Sequence, residues 1–319
     1  MKAVECQIRD VCSRVGADRI FLLTDTHVGR LIGDFLPDAP RLAVEAGEGS
    51  KSVAGLEKVW RFLIEEGALR RSVLVNVGGG MVTDLGGFAA ATFKRGIGCI
   101  NVPTTLLAAV DAAIGGKTGI NYAGLKNEVG SFSLPLAVFP LTSLFGTLPE
   151  EEWLSGVGEA IKTGLLCSEE LFDMAVSEEF IVKREPKIVA EVVRRCAEFK
   201  QSVVESDFRE GGRRKILNLG HTMGHAIESW MMEHGGGVPH GVAVAYGLRH
   251  TLEKSVREAG LDAGVLRRYE AVWLKFFPPL QMNERELAEA AEYMAHDKKN
   301  VVAGKPAWVL LEAIGNPMV

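Results

Sequence analysis

Histidine is the side chain best suited to hold a metal ion or to move a proton near neutral pH, and one segment of this chain concentrates it. In Asn218-Leu-Gly-His221-Thr-Met-Gly-His225-Ala-Ile-Glu228 two imidazoles stand four residues apart, which puts both on one helix face. Neutral imidazoles so placed can share a metal, or one can bind while the other shuttles protons. Spacing alone therefore pairs His221 with His225 as metal ligands and leaves the accompanying carboxylate unassigned. Glycine costs a helix about 1 kcal/mol relative to alanine, so Gly220 and Gly224 imply that something approaches closely there. His240, between Pro239 and Gly241, is a third imidazole in a constrained turn before another helical segment. Glu159 lies in the apolar run Gly156-Val-Gly-Glu159-Ala-Ile-Lys162, where an acid needs a partner such as a metal or a base.

A second group of residues suggests anion chemistry. Gly78-Gly79-Gly80 follows an apolar run ending at Val77 and leads into a helical pattern through Met81-Val-Thr-Asp84. Strand, glycine turn and helix together suggest a phosphate cradle, because glycine lets the backbone approach a pyrophosphate and free amides at the helix start supply donors. A plain tight turn would use the same glycines, and the triplet is not Gly-x-Gly-x-x-Gly. Asp25 ends an earlier apolar run, placed either to accept hydrogen bonds from a ribose or to cap a helix. Gly115-Gly116 before Lys117 can present an ammonium to an anion, with Lys126 and Asn127 as further donors. The apolar flanks of that segment predict a loop that enters the interior.

The elements that must position these groups follow from the hydrophobic pattern. Up to Pro149 short aliphatic runs (19–25, 41–45, 72–77, 99–103) alternate with helical stretches, the cadence of a parallel α/β sheet. Beyond Pro149 the pattern is mostly helical, over 151–166, 186–205, 215–232 and 242–259. The boundary is set at the proline that precedes Glu150, Glu151 and Glu152, acids suited to a helix N-terminus. This predicts an α/β domain over 1–149 and a helical domain over 150–319. The 319 residues are the right length for about two domains at roughly 150 residues each. With 47% hydrophobic and 24% charged residues the chain is neither disordered nor fibrous. A net charge of −5 has the wrong sign for a nucleic-acid backbone binder. Five scattered cysteines without a Cys-x-x-Cys pair read as reduced thiols of a cytoplasmic protein. Neither a signal core nor eighteen consecutive apolar residues occur, so no membrane span is expected.

Taken in order, these segments resemble the 3-dehydroquinate synthase family of sugar-phosphate cyclases. The likeness runs from about Asp25 to Gly315. Its most specific pieces are Gly78-Gly-Gly-Met-Val-Thr-Asp84, Val102-Pro-Thr-Thr-Leu-Leu107, Asp111 to Asn121, Lys126-Asn127, Gly158-Glu-Ala-Ile-Lys162, Arg214 to Glu228, Pro239-His-Gly241 and Asp297-Lys-Lys299. The resemblance implies a Rossmann-like domain holding NAD, a helical domain holding a divalent metal, Zn or Co, and substrate between them. The implied reaction converts 3-deoxy-D-arabino-heptulosonate 7-phosphate to 3-dehydroquinate and phosphate, in the shikimate pathway of aromatic biosynthesis.

Carried over residue by residue, the resemblance makes Glu159, His221 and His240 the metal ligands. It thereby moves His225 from ligand to substrate contact. Around NAD it sets Asp25, Glu48, Lys51, Gly79, Gly80, Asp84, Thr104, Thr105, Lys117, Lys126 and Thr147. Around substrate it sets Asp111, Lys117, Asn127, Lys162, Lys200, Arg214, Asn218, His225 and one or both of Lys298 and Lys299, with Lys200 and His225 as the proton-handling candidates. Arg95 resembles an arginine that reaches a neighbouring subunit's phosphate, which implies a homodimer. Without the resemblance, Lys200 and Arg214 would read as a solvated helix face. Val242 and Thr83 depart from the family's common glutamate and glycine, and could alter packing near metal and cofactor; the chain also stops soon after Gly315. Two other readings compete: a sister cyclase of the 2-deoxy-scyllo-inosose or 2-epi-5-epi-valiolone synthase type, and a metal-dependent polyol dehydrogenase. The first would differ at the cations facing the substrate carboxylate, and the second would release NADH at each turnover.

Overall fold

In the first unit, Met1–Leu148, the elements run α1 (Lys2–Arg14), β1 (Ile20–Asp25), α2 (Val28–Leu31), β2 (Arg41–Val44), α3 (Val53–Glu65), β3 (Val73–Gly78), α4 (Gly80–Thr92) and β4 (Gly98–Pro103). A hairpin of β5 (Lys117–Tyr122) and β6 (Leu125–Phe132) follows, then the short β7 (Ala137–Val138). The computed structural model describes residues 1–296 and 308–319.

Five strands form one parallel sheet in the order β2-β1-β3-β4-β7. Period-two alternation sorts the side chains to its two faces. Phe21, Leu23 and Leu74 pack with Leu56, Val59, Leu85 and Phe88 of α3 and α4. Leu22, Val73, Val75 and Val77 pack on the other face with Ile8, Val11 and Ile32 of the α1–α2 region. Covered on both sides, β3 is buried along its whole length, as central parallel strands are. The strand order reverses between β1 and β3, and in such sheets ligands sit beyond the carboxyl ends at that point. Asp25 and Gly78, the last residues of these two strands, stand there.

The Gly115–Asn127 segment differs from expectation. It is an antiparallel hairpin in which Gly119 and Ile120 are buried while Lys117, Lys126 and Asn127 are exposed. The apolar flanks seat one strand face on α4, where a Cβ at Gly87 would meet Thr118 at 2.5 Å. The lysines point outward because their ammonium groups stay in water. Of the five free cysteines, Cys12, Cys99 and Cys196 are buried and Cys6 is exposed. Burial pushes the Cys99 thiol up to about 12.

The second unit, Pro149–Val319, is helical as the pattern predicts: α5 (Glu150–Cys167), α6 (Glu169–Ala175), α7 (Glu178–Ile181), α8 (Pro186–Ser206), α9 (His221–Glu233), α10 (His240–Glu258), α11 (Ala263–Phe276) and α12 (Glu284–Glu292). A small hairpin of β8 (Leu310–Ala313) and β9 (Asn316–Met318) packs on α5 and α10. No helix among the described residues is long and apolar enough to cross a membrane.

The helical stretch expected over 215–232 is broken. A 3-10 turn (Arg213–Asn218) ends before Gly220, which adopts a left-handed φ of +76°, and α9 starts at His221. Helix α10 is what approaches the glycines: a Cβ on Gly220 would lie 2.8 Å from Leu248, and one on Gly224 would lie 3.1 Å from Val244. Helices α5 and α10 are closer still. A Cβ on Gly158 would fall 2.1 Å from the Gly241 carbonyl oxygen, and one on Gly241 would fall 1.8 Å from that of Ser155. The Ser155 hydroxyl accepts the Gly241 N–H at 2.9 Å and holds the contact. Glu159 follows Gly158 and His240 precedes Gly241, so backbone contact between helices is what brings those two side chains together.

A methyl group at Gly241 has nowhere to go. Helix propensity favours Gly241→Ala by about 1 kcal/mol, but overpacking of this kind costs roughly 1–3 kcal/mol or more. The clash is expected to win, giving a clear fall in thermal midpoint. Gly237→Ala, where nothing lies within 4 Å, serves as the control and should stay within about 0.5 kcal/mol. Equal midpoints for the two variants would contradict the close-packing account.

Candidate active site

Three helices each supply one donor. Glu159 is fully buried on α5, and His221 and His240 are the first residues of α9 and α10. The Glu159 Oε1 atom is 3.6 Å from His221 Nε2 and 3.4 Å from His240 Nε2. Ligands about 2.0–2.1 Å from a zinc-like ion at the tetrahedral angle stand roughly 3.4 Å from one another. One carboxylate and two imidazoles at this spacing fit a divalent ion with positions left for other oxygens. The His221, His225 and His240 nitrogens also come within 4.8 Å of one another. The His225 ring stands beside the triad, 5.2 Å from that of His221 and 5.8 Å from that of His240, while the His221 and His240 rings are 5.2 Å apart.

Both triad imidazoles are oriented from behind. His221 Nδ1 donates to the Leu219 carbonyl at 3.1 Å, and His240 Nδ1 donates to Glu228 Oε2 at 2.9 Å. Each ring thus turns Nε2 toward Glu159, the arrangement that fixes a metal-binding tautomer. Burial alone would lower the His240 pKa, but the Glu228 charge and the hydrogen bonds to Glu159 and Glu228 outweigh it and push the value up to about 10. Lys162, one turn after Glu159, is buried and ion-paired with it.

Two further cations are removed from water, Lys200 on α8 at 8% exposure and Arg214 at 2%. The solvated face that their residue types suggested is therefore not what forms. Arg214 lies in the 213–218 turn, which packs against α5 and α8. Its Nη1 donates to the Phe208 carbonyl at 2.6 Å, while Asp207 accepts the backbone N–H groups of Gly211, Gly212 and Arg214 at 2.8–3.0 Å. Asn218 donates to Glu210 at 3.0 Å.

In the first unit, part of the expected cofactor set follows the carboxyl ends of the sheet strands: Asp25 ends β1, Glu48 and Lys51 come after β2, Gly79 and Gly80 after β3, and Thr104 and Thr105 after β4. The first turn of α4 has no side-chain cap, which leaves its leading amides open to an anionic acceptor. None of Gly78, Gly79 and Gly80 has positive φ. Space is what excludes a side chain at the first two, since a Cβ would meet Val82 at 2.5 Å from Gly78 and Thr105 at 3.1 Å from Gly79. A glycine cradle beneath an uncapped helix start fits a pyrophosphate. Asp84 pairs with the buried Lys51 at 2.5 Å, Lys51 lies 4.0 Å from Glu48, and Glu48 accepts from Asn121 at 2.8 Å. Thr104 N–H donates to the Gly78 carbonyl, and Thr105 Oγ1 accepts from Ala108. The Thr147 hydroxyl donates within its own turn to Leu144. Asp25 Oδ1 takes the N–H groups of His27 and Val28 at 2.8 Å each, the capping role.

Not every expected residue converges. Lys117 pairs across from Phe132, five residues along β6 from Asn127, or about 17 Å at ~3.4 Å per residue. The pair Lys126–Asn127 and Lys117 therefore belong to opposite ends of the hairpin rather than to one turn. Asp111 sits in a π-helical turn (Ala108–Ala112). Arg95 lies beyond the far end of α4, some 20 Å from Gly80 at ~1.5 Å per residue, with φ of +71°. Lys298 and Lys299 fall outside the described residues. Thr83 donates to the Gly80 carbonyl at 3.1 Å, and Val242 is buried with no polar demand, so both departures are accommodated locally. Sequence reasoning missed Glu228 and Asp207. The first was detectable as the acid seven residues after His221 on the same face, whereas the second carried no signal.

The family model described as 3-dehydroquinate synthase N-terminal matches residues 41–155, and that described as 3-dehydroquinate synthase C-terminal matches residues 156–300. A 3-dehydroquinate synthase from Parabacteroides distasonis is 40% identical over 321 aligned residues, covering 99% of this chain and 90% of the relative. Among solved structures, a 2-deoxy-scyllo-inosose synthase with carbaglucose-6-phosphate, NAD+ and Co2+ superposes with a TM-score of 0.85 at 26% identity, covering 99% of this chain and 89% of the other. The 2-epi-5-epi-valiolone synthase of Streptomyces hygroscopicus, solved with NAD+ and Zn2+, shares the fold at a TM-score of 0.81 and 23% identity, covering 94% and 85%.

The Asp207 staple has a pH signature. Its three N–H donors hold the carboxyl below the ordinary value of 3.8. A depressed folded-state value means that the staple contributes fully above the unfolded value and is lost as pH falls through the folded one. Amide-exchange protection at Gly211, Gly212 and Arg214 should therefore be present at neutral pH and decline in acid. In Asp207→Asn it should be weak at both; protection that ignores this substitution would remove the staple from the account.

Proposed function

The chain belongs to the 3-dehydroquinate synthase family, and on that premise we propose how its residues carry out the conversion of 3-deoxy-D-arabino-heptulosonate 7-phosphate to 3-dehydroquinate and phosphate. The enzyme is a carbon–oxygen lyase. Its substrate is oxidised transiently, loses phosphate by β-elimination, is reduced at the same carbon, opens and closes again by an aldol step. The observation that carries the assignment is the donor set of Glu159, His221 and His240, held at metal-ligand spacing in a chain matched across both family segments.

Glu159, His221 and His240 hold the divalent ion, Zn2+ or Co2+. The Gly79–Gly80 turn, Asp25, Glu48, Lys51, Asp84, Thr104, Thr105, Lys117, Lys126 and Thr147 hold NAD. When bound, the ion supplies Lewis acidity toward substrate hydroxyls and NAD a reversible hydride acceptor. Lys162, Lys200 and Arg214, with Asn127, Asn218, Lys117 and one or both of Lys298 and Lys299, bind the carboxylate and phosphate of the sugar acid. Buried ammonium and guanidinium groups attract an anion far more strongly than exposed ones, because little water screens them. Asp111 orients the substrate, and His225, standing beside the triad without belonging to it, hands protons on together with Lys200. The chain's main task is to fix one conformer and one charge distribution.

The protein acts in the cytoplasm as a homodimer. Buried thiols outside any disulfide suit a reducing compartment, and Arg95 is better placed to serve a neighbouring subunit's phosphate than its own glycine turn.

Purified protein with NAD, Zn2+ or Co2+ and the heptulosonate phosphate is expected to release inorganic phosphate with no net accumulation of NADH. NADH formed in step with turnover would support a polyol dehydrogenase instead. Phosphate release confined to a hexose phosphate lacking the carboxylate would support a sister cyclase. In the same assay His240→Ala should lower turnover by more than about 100-fold, the equivalent of the several kcal/mol a Lewis acid contributes, and lose its metal on dialysis. Full metal retention would take His240 out of the ligand set.

A further inference from the structure

Glu228 has no part in the reaction as derived so far, yet it touches a ligand. Its carboxylate accepts from His240 Nδ1 at 2.9 Å, on the side of the ring opposite Glu159, whose Oε1 is 3.4 Å from Nε2. One imidazole is thus held between two carboxylates, one at each nitrogen. Glu228 faces away from the position an ion would take, so it is not itself a donor to that ion.

We propose that Glu228 is a positioning residue that sets the ring orientation and tautomer of His240, and so the strength of the divalent-ion site. This rests on the reading that Glu159, His221 and His240 hold the ion. The two imidazoles need different support. His221 is 9% exposed and anchored to a backbone carbonyl, whereas the His240 side chain is 34% exposed at the first turn of α10. A ring with that much room keeps Nε2 aimed inward only if Nδ1 is held. Glu228 also sits on α9, two turns after His221 and on the same face. One rigid helix therefore carries a ligand and the anchor of the next ligand, so α9 helps to set the spacing between the two Nε2 atoms. An anionic acceptor behind Nδ1–H further makes Nε2 a better electron-pair donor.

The test is a titration of metal-free protein with Co2+, followed by its visible absorption, together with chelator competition for Zn2+. Glu228→Ala should weaken binding by about 10–100-fold, the usual loss when such an outer partner is removed, and alter the Co2+ spectrum. Glu228→Gln keeps the size and a carbonyl acceptor but loses the charge, so it should fall between Ala and wild type. This variant also covers the case in which the Ala protein folds poorly. His221→Ala is measured alongside. If it binds Co2+ like wild type, the ion-site reading itself fails. If it loses the ion while both Glu228 variants bind with wild-type affinity and spectrum, the positioning role is overturned and the site stands.

Discussion

Much of the second unit follows from one contact, the backbone of α5 against the backbone of α10 at Gly158 and Gly241. A side chain at either position would separate the helices by ångströms, and the Glu159 to His240 distance would grow by a comparable amount. A second close approach, Gly220 and Gly224 against Gly247, Leu248 and Val244, sets α9 on the same helix. Each helical glycine costs about 1 kcal/mol of propensity. That cost is offset by dispersion over tightly packed surfaces, and what results is a donor set whose spacing is fixed by main chain rather than by side-chain torsions.

The charges gathered by this packing have a different logic. Glu159, Lys162, Lys200 and Arg214 are all nearly or fully buried, and taking ionised groups out of water costs several kcal/mol each before pairing. A unit selected for stability alone would fill those positions with leucine and methionine. Retaining them makes sense where the ligand is itself highly charged, because a sugar acid phosphate and a dication both gain most from groups that water does not screen. The Glu159–Lys162 pair, the Asp207 staple and the Glu228 brace are the arrangements that make such a cluster tolerable.

The sheet was legible in the sequence because short aliphatic runs alternating with helical stretches have few other uses, and the strand, glycine and helix order around Gly78–Gly80 was legible for the same reason. What the sequence did not show is that Gly78 and Gly79 also leave room for Val82 and Thr105. Spacing along one helix suggested His221 with His225. Short distances join His221 to Glu159 and His240 as well, residues that are remote in sequence and meet it only through helix packing. Resemblance to a family supplied that set, and local pattern could not. Exposed lysines on the β5–β6 hairpin were misread as interior because strand flanks and loop flanks look alike when both are apolar. Gly220 and Gly224 implied a close approach, and the approaching body is α10; sequence shows that space is needed but not who needs it.

The distribution of sulfur has a practical corollary. Cys12 and Cys99 are enclosed in the first unit and Cys196 in the second, and a thiol held at about 12 offers almost no thiolate to an alkylating reagent at neutral pH. Each buried thiol reacts only when its own surroundings open, so the order in which they are modified under mild denaturant reports which half of the polypeptide loosens first. The molecule carries an internal pair of clocks for its own unfolding, with the surface thiol of Cys6 as the reference that starts at time zero.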